Sequence, residues 1–429
     1  MTLHWKWLNG DFDEEIDAKL FGALKIDLNG RVITRSYDRV TEMVRDSVNV
    51  VIFPLALAII KNWWTLLYEP RKSDDYEDSS GLRHSLDCYM NGFCFPAVAL
   101  WSGGADTVTI EHPNVSLQHS RLEFLPTGSS FTHLQRREVE ENLFELIQAV
   151  IERAPSGPAS CELSELWNRV LKSFGDDEER QYCEAAGRLG VDPYDPDAED
   201  ISALANGLSG RLFSDICEAA TLPELQAATD WAREGTRHFD IVPSLDVSHF
   251  GAFPEKNPQM RIWEQGYEAA RTARKKLNLE GDKPRRVVDS IFGTAVRADS
   301  ATVGGNHTNA LEGIVDRNNG KMRIALPMTS ARLRRSRLCR ASYLAWKAAE
   351  GDTAAVTTAT TIDQQASRAF AAELLAPKDL LWDLAGQDGL TPELIETFAE
   401  ENVCPEQTII WQAYNHQIPL RGVSLPAKG

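Results

Sequence analysis

The sequence predicts an α+β, multidomain protein, and three observations carry that expectation. The chain has 429 residues, enough for two to three cores of ordinary size. Its hydrophobic period switches along the chain, with strand-like alternation near 20–36 and 83–126, helical spacing over 135–250, and a mixture from 253 onward. A Pro/Gly/Ser-rich stretch, APSGPAS at 154–160, separates the first mixed region from the helical one. The expected division is an α+β domain over 1–153, a helical domain or linker over 154–250, and a third domain over 251–429 ending in a helix pair.

The elements follow in order. LKIDLNGRVIT alternates around Asn29-Gly30, a hairpin signal because both turn residues tolerate positive φ. Residues 37–68 read as helical and end in NWWTLLYEP. Trp63 and Trp64 could form a stacking platform for a ligand, but adjacent aromatics after an apolar helix are more often core. FCFPAVALW, TVTIEH and VSLQHSRLEFL then read as strands. His84, His112 and His119 lack ligand spacing with Cys or acidic partners and are read as surface or sheet residues. A helix over 135–153 carries Leu143, Leu146, Ile147, Val150 and Ile151 on one face. The next carries Leu163, Leu166, Trp167, Val170, Leu171 and Phe174, and Asp176 with Glu179 opens a third as a capping-box variant. The loop DPYDPDAED invites a calcium reading, but the sixth and twelfth places counted from Asp195 are Asp200 and Asn206, where an EF-hand needs Gly and Glu.

Beyond Phe253, FPEKNPQMRIWEQGYEAARTARKKLNL reads as a basic helix and KMRIALPM (321–328) as a strand. Gly304-Gly305-Asn306-His307 lacks the Gly-Lys-Ser/Thr ending of a phosphate loop. The stretch from Arg332 places Leu338, Ala341, Ser342, Ala345 and Trp346 on one helix face, and DQQASRAFAAELLAP is a second helix stopped by Pro377. Two short helices close the chain, one capped by Thr391 with Pro392 behind it and one opened by Cys404-Pro405. They have the outline of a helix-turn-helix, yet no basic residue lies between Asp379 and Arg421, and phosphate contacts need Lys and Arg.

Composition narrows the class. The net charge of −18 is uneven, with −20 over 1–252 and +10 over 256–340. The first part would repel nucleic acid, and acidic and basic parts complementing each other is the simplest account. Seven scattered cysteines form no Cys-x-x-Cys pair, so a reducing cytoplasm is expected rather than disulfides or zinc ribbons. The N-terminus has no basic start followed by an apolar run, and the most apolar segment, Val50 to Ile60, falls short of the ~20 residues a membrane helix needs. No membrane association, metal or cofactor is expected.

The two helices around Arg332–Pro377 resemble a narrower pattern. Members of the ImmA/IrrE-type zinc metallopeptidases carry Arg-x-x-x-Ala-His-Glu-x-Gly-His, then Glu-x-x-Ala-Asn-x-Phe-Ala-x-x-Leu-Leu-x-Pro. Arg337 and Ala341 match the first motif, and Phe370, Ala371, Leu374, Leu375 and Pro377 match the second. The resemblance covers roughly residues 253–429 and implies a zincin-like domain. Its catalytic positions are replaced. Ser342, Tyr343 and Trp346 stand where the family has His, Glu and His, Gln364 stands for the third ligand, and Ser367 and Arg368 replace the Ala-Asn pair. Zinc needs two imidazoles one turn apart and a carboxylate to activate its water. A hydroxyl is a poor substitute and an indole has no lone pair to give, so the resemblance implies a peptidase fold without its metal. It also implies a bacterial or phage origin, in stress-response, mobile-element or defence settings.

Three functions remain open at this level. The first is a non-catalytic regulator or assembly subunit with a protein partner. The second is a nucleic-acid-contacting subunit of a larger complex, using Arg332, Arg334, Arg335, Arg337 and Arg340 along a helix entrance. The third is an enzyme with an unrecognised site, for which Cys88 and His84, four apart, are the nearest approach to a pair.

Overall fold

The computed structural model describes residues 1–71, 79–113, 120–195, 201–240, 244–255, 260–293, 302–305 and 308–425. His119, His307, Asn306 and the second half of the acidic loop (196–200) lie outside the described residues. The chain divides into two units, Met1–Ile201 and Ser202–Gly429.

The first unit opens with β1 (Thr2–Trp7), α1 (Glu15–Lys19), β2 (Phe21–Leu28), β3 (Arg31–Val32), β4 (Ser36–Asp38), β5 (Met43–Arg45) and β6 (Val48–Val51). Strand β2 pairs antiparallel with β1, β3 and β6, and buries Leu24, Ile26 and Leu28 on one face. Its hairpin to β3 turns through Asn29 (φ +54°) and Gly30 (φ +82°), and Asp27 Oδ1 accepts from Gly30 N at 2.6 Å. Helices α2 (Phe53–Lys61), α3 (Trp63–Tyr68) and α4 (Ser79–His84) follow, then β7 (Ala99–Gly104), β8 (Thr107–Glu111), β9 (Leu122–Phe124) and β10 (Phe131–Gln135). Strand β8 lies between β7 and β10, and β4 between β5 and β9. Helices α5 (Arg136–Arg153), α6 (Pro158–Phe174) and α7 (Asp177–Leu189) complete the unit.

The helix expected over 37–68 starts only at Phe53. Val48, Val50 and Val51 are β-branched and are recruited by β2, with Phe21 opposite Val51 and Leu24 opposite Val48. The expected strand FCFPAVALW begins at Ala99, past Pro96, which has no N–H to donate to a ladder. Trp63 and Trp64 belong to the core rather than to a platform, at 1% and 2% exposure. Helix α7 approaches α3 closely at Gly187, where a Cβ would stand 2.5 Å from Trp64 O. Asp176 caps α7, accepting from the N–H groups of Glu178 and Glu179.

The second unit contains α8 (Ile201–Ala205, at the boundary), α9 (Gly210–Ala219), α10 (Leu222–Arg237), β11 (Ser244–Asp246), α11 (Ile262–Lys276) and α12 (Pro284–Phe292). Then come β12 (Thr302–Val303), β13 (Leu311–Asn318), β14 (Lys321–Pro327), α13 (Ala331–Lys347), β15 (Thr353–Thr357), α14 (Ile362–Leu375), α15 (Lys378–Ala385), α16 (Pro392–Asn402) and α17 (Glu406–Asn415). Its sheet runs β11-β14-β13-β15, with β12 parallel to β14. Residues 154–250, read as one helical region, are therefore shared: α6 and α7 pack in the first core, whereas α9 lies on β15 and residues 244–246 add a strand beside β14. Helix α14 packs between α11 and α13. Gly266 makes the approach to α11 close, since a Cβ there would meet Ala366 O at 2.3 Å.

Candidate functional site

The candidate site lies where α13, α14 and the end of β15 meet. Ser330 caps α13, and its run of small and apolar residues from Leu338 to Trp346 is buried continuously. Arg317, on β13, anchors the C-terminal end of this helix by donating through Nη1 to Trp346 O (3.0 Å) and Ala348 O (2.9 Å).

Each position that resembles a catalytic position is committed to packing or internal hydrogen bonds. Ser342 is fully buried, and its Oγ donates back to Cys339 O within the helix (2.8 Å). Tyr343 is buried against Phe253 and Phe370, with centroids 5.4 and 5.5 Å away, and burial pushes its phenol above the ordinary range. Trp346 packs on Phe250 and Phe253 at 5.2 and 5.0 Å, and its Nε1 donates to Gly251 O (2.8 Å). Gln364 Oε1 accepts from Thr357 N (3.0 Å) and Arg340 Nη2 (2.8 Å), while its Nε2 donates to Ala355 O (2.7 Å). Both lone pairs of that oxygen are thereby used. Among the described residues, no three His, Cys, Asp or Glu side chains gather as a metal-ligand set.

The basic strip is turned largely inward. Arg335 is buried, donating to Asp289 (2.7 Å) and to Arg285 O (2.8 Å). Arg340 is buried, paired with Glu312, and donates to Ser367 Oγ (3.2 Å) and Thr357 O (2.6 Å). Arg337 stands 3.6 Å from Glu312. Arg332 is the more exposed member and meets Glu406 at 3.0 Å, and Arg334 donates to Thr329 O (3.5 Å). The acidic partners of Arg332, Arg335, Arg337 and Arg340 lie in the second unit itself.

The sequence reading missed the role of Arg368, named there only as a replaced family position, and missed Glu312 altogether. Arg368 donates to Ala359 O (2.6 Å) and Thr357 O (3.4 Å), and burial lowers its pKa to about 10. Its i,i+4 spacing from Gln364 was the available signal. Glu312, which both Arg337 and Arg340 face, had none, because it lies on β13, 25 and 28 residues earlier in the chain.

In the first unit, His84 is buried rather than on the surface. Its Nε2 meets Glu69 Oε2 (3.0 Å), its Nδ1 meets Leu100 O (2.6 Å), and its ring stacks on Trp101 at 3.8 Å. Both nitrogens are therefore occupied by groups other than Cys88, which is exposed. His112 is also buried, between the hydroxyls of Thr132 and Thr127. No family model, curated protein or solved structure matches the chain. No helix among the described residues is long and apolar enough to cross a membrane.

Proposed function

We propose that this chain is a non-catalytic relative of the ImmA/IrrE-type metallopeptidases, acting in the cytoplasm as a regulatory or assembly subunit that binds a protein partner in a bacterial stress, mobile-element or phage-defence system. One observation carries the reading. The four positions that would hold metal and base in an active member, Ser342, Tyr343, Trp346 and Gln364, are carried by two packed helices and filled by groups whose polar atoms are engaged internally or whose rings pack. Replacement of all four positions in this way is what a binding role without hydrolysis requires.

Restoring the ligands tests this. The variant Ser342→His, Tyr343→Glu, Trp346→His, Gln364→Glu is expected to bind one zinc per chain, measured by elemental analysis, while the native protein purifies without stoichiometric zinc. Circular dichroism confirms that the variant is folded. Stoichiometric zinc in the native chain, or a folded variant that binds none, would overturn the reading.

A further inference from the structure

We propose that Arg337, Arg340 and Arg368 form an inward-facing site for a small dianionic oxyanion, a phosphate or phosphate monoester, at the mouth between α13, α14 and the end of β15. This inference does not rest on the proposed ancestry, because it uses only charge and hydrogen-bond accounting.

The three guanidiniums are tied together by shared acceptors. Arg337 and Arg340 both face Glu312, and Arg340 and Arg368 both donate to Thr357 O, at 2.6 and 3.4 Å. Arg337 and Arg340 share the one carboxylate and Arg368 donates to carbonyl oxygens, so the three together carry an excess of two positive charges. Nearby carboxylates are engaged elsewhere: Asp363 pairs with Lys347, and Asp215 Oδ2 accepts from Ala355 N (2.9 Å). Arg340 is satisfied, with Nε, Nη1 and Nη2 each donating. Arg337 is not. Its Nε and Nη1 are buried without a hydrogen-bond partner, and burial alone depresses its basicity.

A buried guanidinium whose N–H groups make no hydrogen bond is costly, because its solvation is lost and an ion pair at 3.6 Å replaces only part of it. A site that keeps this cost, with two N–H donors making no hydrogen bond, is suited to an acceptor supplied from outside. Guanidinium forks match tetrahedral oxyanions bidentately, and a dianion balances an excess of two. The side chains of Arg337 and Glu312 keep 14% and 19% exposure, so the cluster opens to solvent at this edge. Its inward geometry suits one small anion rather than the continuous phosphate track of a nucleic acid.

Isothermal titration with inorganic phosphate and, separately, with phosphoserine tests the site, with sodium chloride at matched ionic strength as control. Saturable one-to-one binding of at least one of the two is expected, and whichever binds more tightly identifies the source. Arg337→Gln is expected to weaken it about tenfold, the loss of one charge-assisted contact, and Arg337→Lys to restore part of it. Since Arg337 makes no hydrogen bond in the fold, Arg337→Gln should melt no lower than the native protein in the absence of phosphate. Absence of saturable binding to the native chain, or equal affinity in Arg337→Gln, would overturn the proposal.

Discussion

Two buried charge clusters, one in each unit, are built around arginine and glutamate and differ in how far their charge is balanced. In the first unit the single Tyr68 O–H is shared between Glu140 (3.0 Å) and Glu184 (3.3 Å), while the guanidiniums of Arg136 and Arg188 lie 4.2 and 5.1 Å from its ring centroid. Arg180 and Arg188 both pair with Glu184, at 3.0 and 3.4 Å, so three cations stand beside two carboxylates, and Arg136 also donates to Leu67 O, Gly104 O and Ser102 Oγ. In the second unit Arg337 and Arg340 share Glu312, Arg368 donates to carbonyl oxygens, and two nitrogens of Arg337 make no hydrogen bond. Burying charge costs free energy everywhere, and only matched partners offset it. The first cluster is the better matched, with two carboxylates to its three cations against one in the second, and reads as scaffold. The second is not, and that is the physical ground for assigning it a ligand.

The sharpest way to break this comparison is to remove one arginine from each. Arg136→Ala leaves the carbonyls of Leu67, Gly104 and Ala105 without their donor and removes a cation near Glu140, so it should cost about 3–5 kcal/mol. Hydrogen exchange should show the loss around α5 and the β7–β8 hairpin. Arg337→Gln should cost nothing measurable, or stabilise, because it removes a desolvated charge. Equal destabilisation by both would erase the distinction.

A smaller effect separates two titrating groups within the second unit. Burial, with Glu218 a turn away, raises the carboxyl of Asp215 to about 8. The native state then holds a proton that the unfolded chain releases between about pH 4 and 8, so this group's contribution falls as pH rises through that window. His416 behaves oppositely. Burial, then Lys378 and Arg271, lowers its pKa to about 4, and its Nε2 is 3.9 Å from Glu373 without a hydrogen bond. Tyr267 and Arg271 of α11, Glu373 of α14, Lys378 and Asp379 of α15, and Gln412 of α17 surround this ring or the carboxylate it faces. The unfolded state binds the extra proton between about pH 6.5 and 4, so stability is lost as pH falls through that range. Asp215→Asn should therefore raise the urea midpoint at pH 8 and leave it unchanged at pH 4, while His416→Asn should raise it at pH 4.5 and leave it at pH 8. Each effect is about 1–2 kcal/mol.

Legibility in the sequence followed the range of the interactions. Asn29-Gly30, Asp176 and Thr391 were readable because a turn or a cap is decided within three residues. Both late helices were readable from their stripes, and Phe370, Leu374 and Leu375 are buried as the spacing requires. Strands β4 to β6 were not, since pairing with β2 and β9 overrode a locally helical pattern. The inward turn of the arginines was equally hidden. Arg335 and Arg340 are directed by Asp289 and Glu312, 46 and 28 residues earlier in the chain, and no periodicity within α13 announces a partner that distant.

Arg332 offers the smallest effect and the cleanest control on the basic strip. Its pair with Glu406 is solvent-exposed on both sides, at 35% and 49% of side-chain surface, so screening and side-chain entropy leave it little net value. Arg332→Ala should shift the urea midpoint by no more than about 0.5 kcal/mol. It should also leave phosphate affinity unchanged, because the anion is held by the inward arginines one and more turns further along α13. Were Arg332→Ala to weaken phosphate as strongly as Arg337→Gln, binding would have to be a diffuse surface attraction, and the distinction between a better and a worse matched buried cluster would lose its functional meaning.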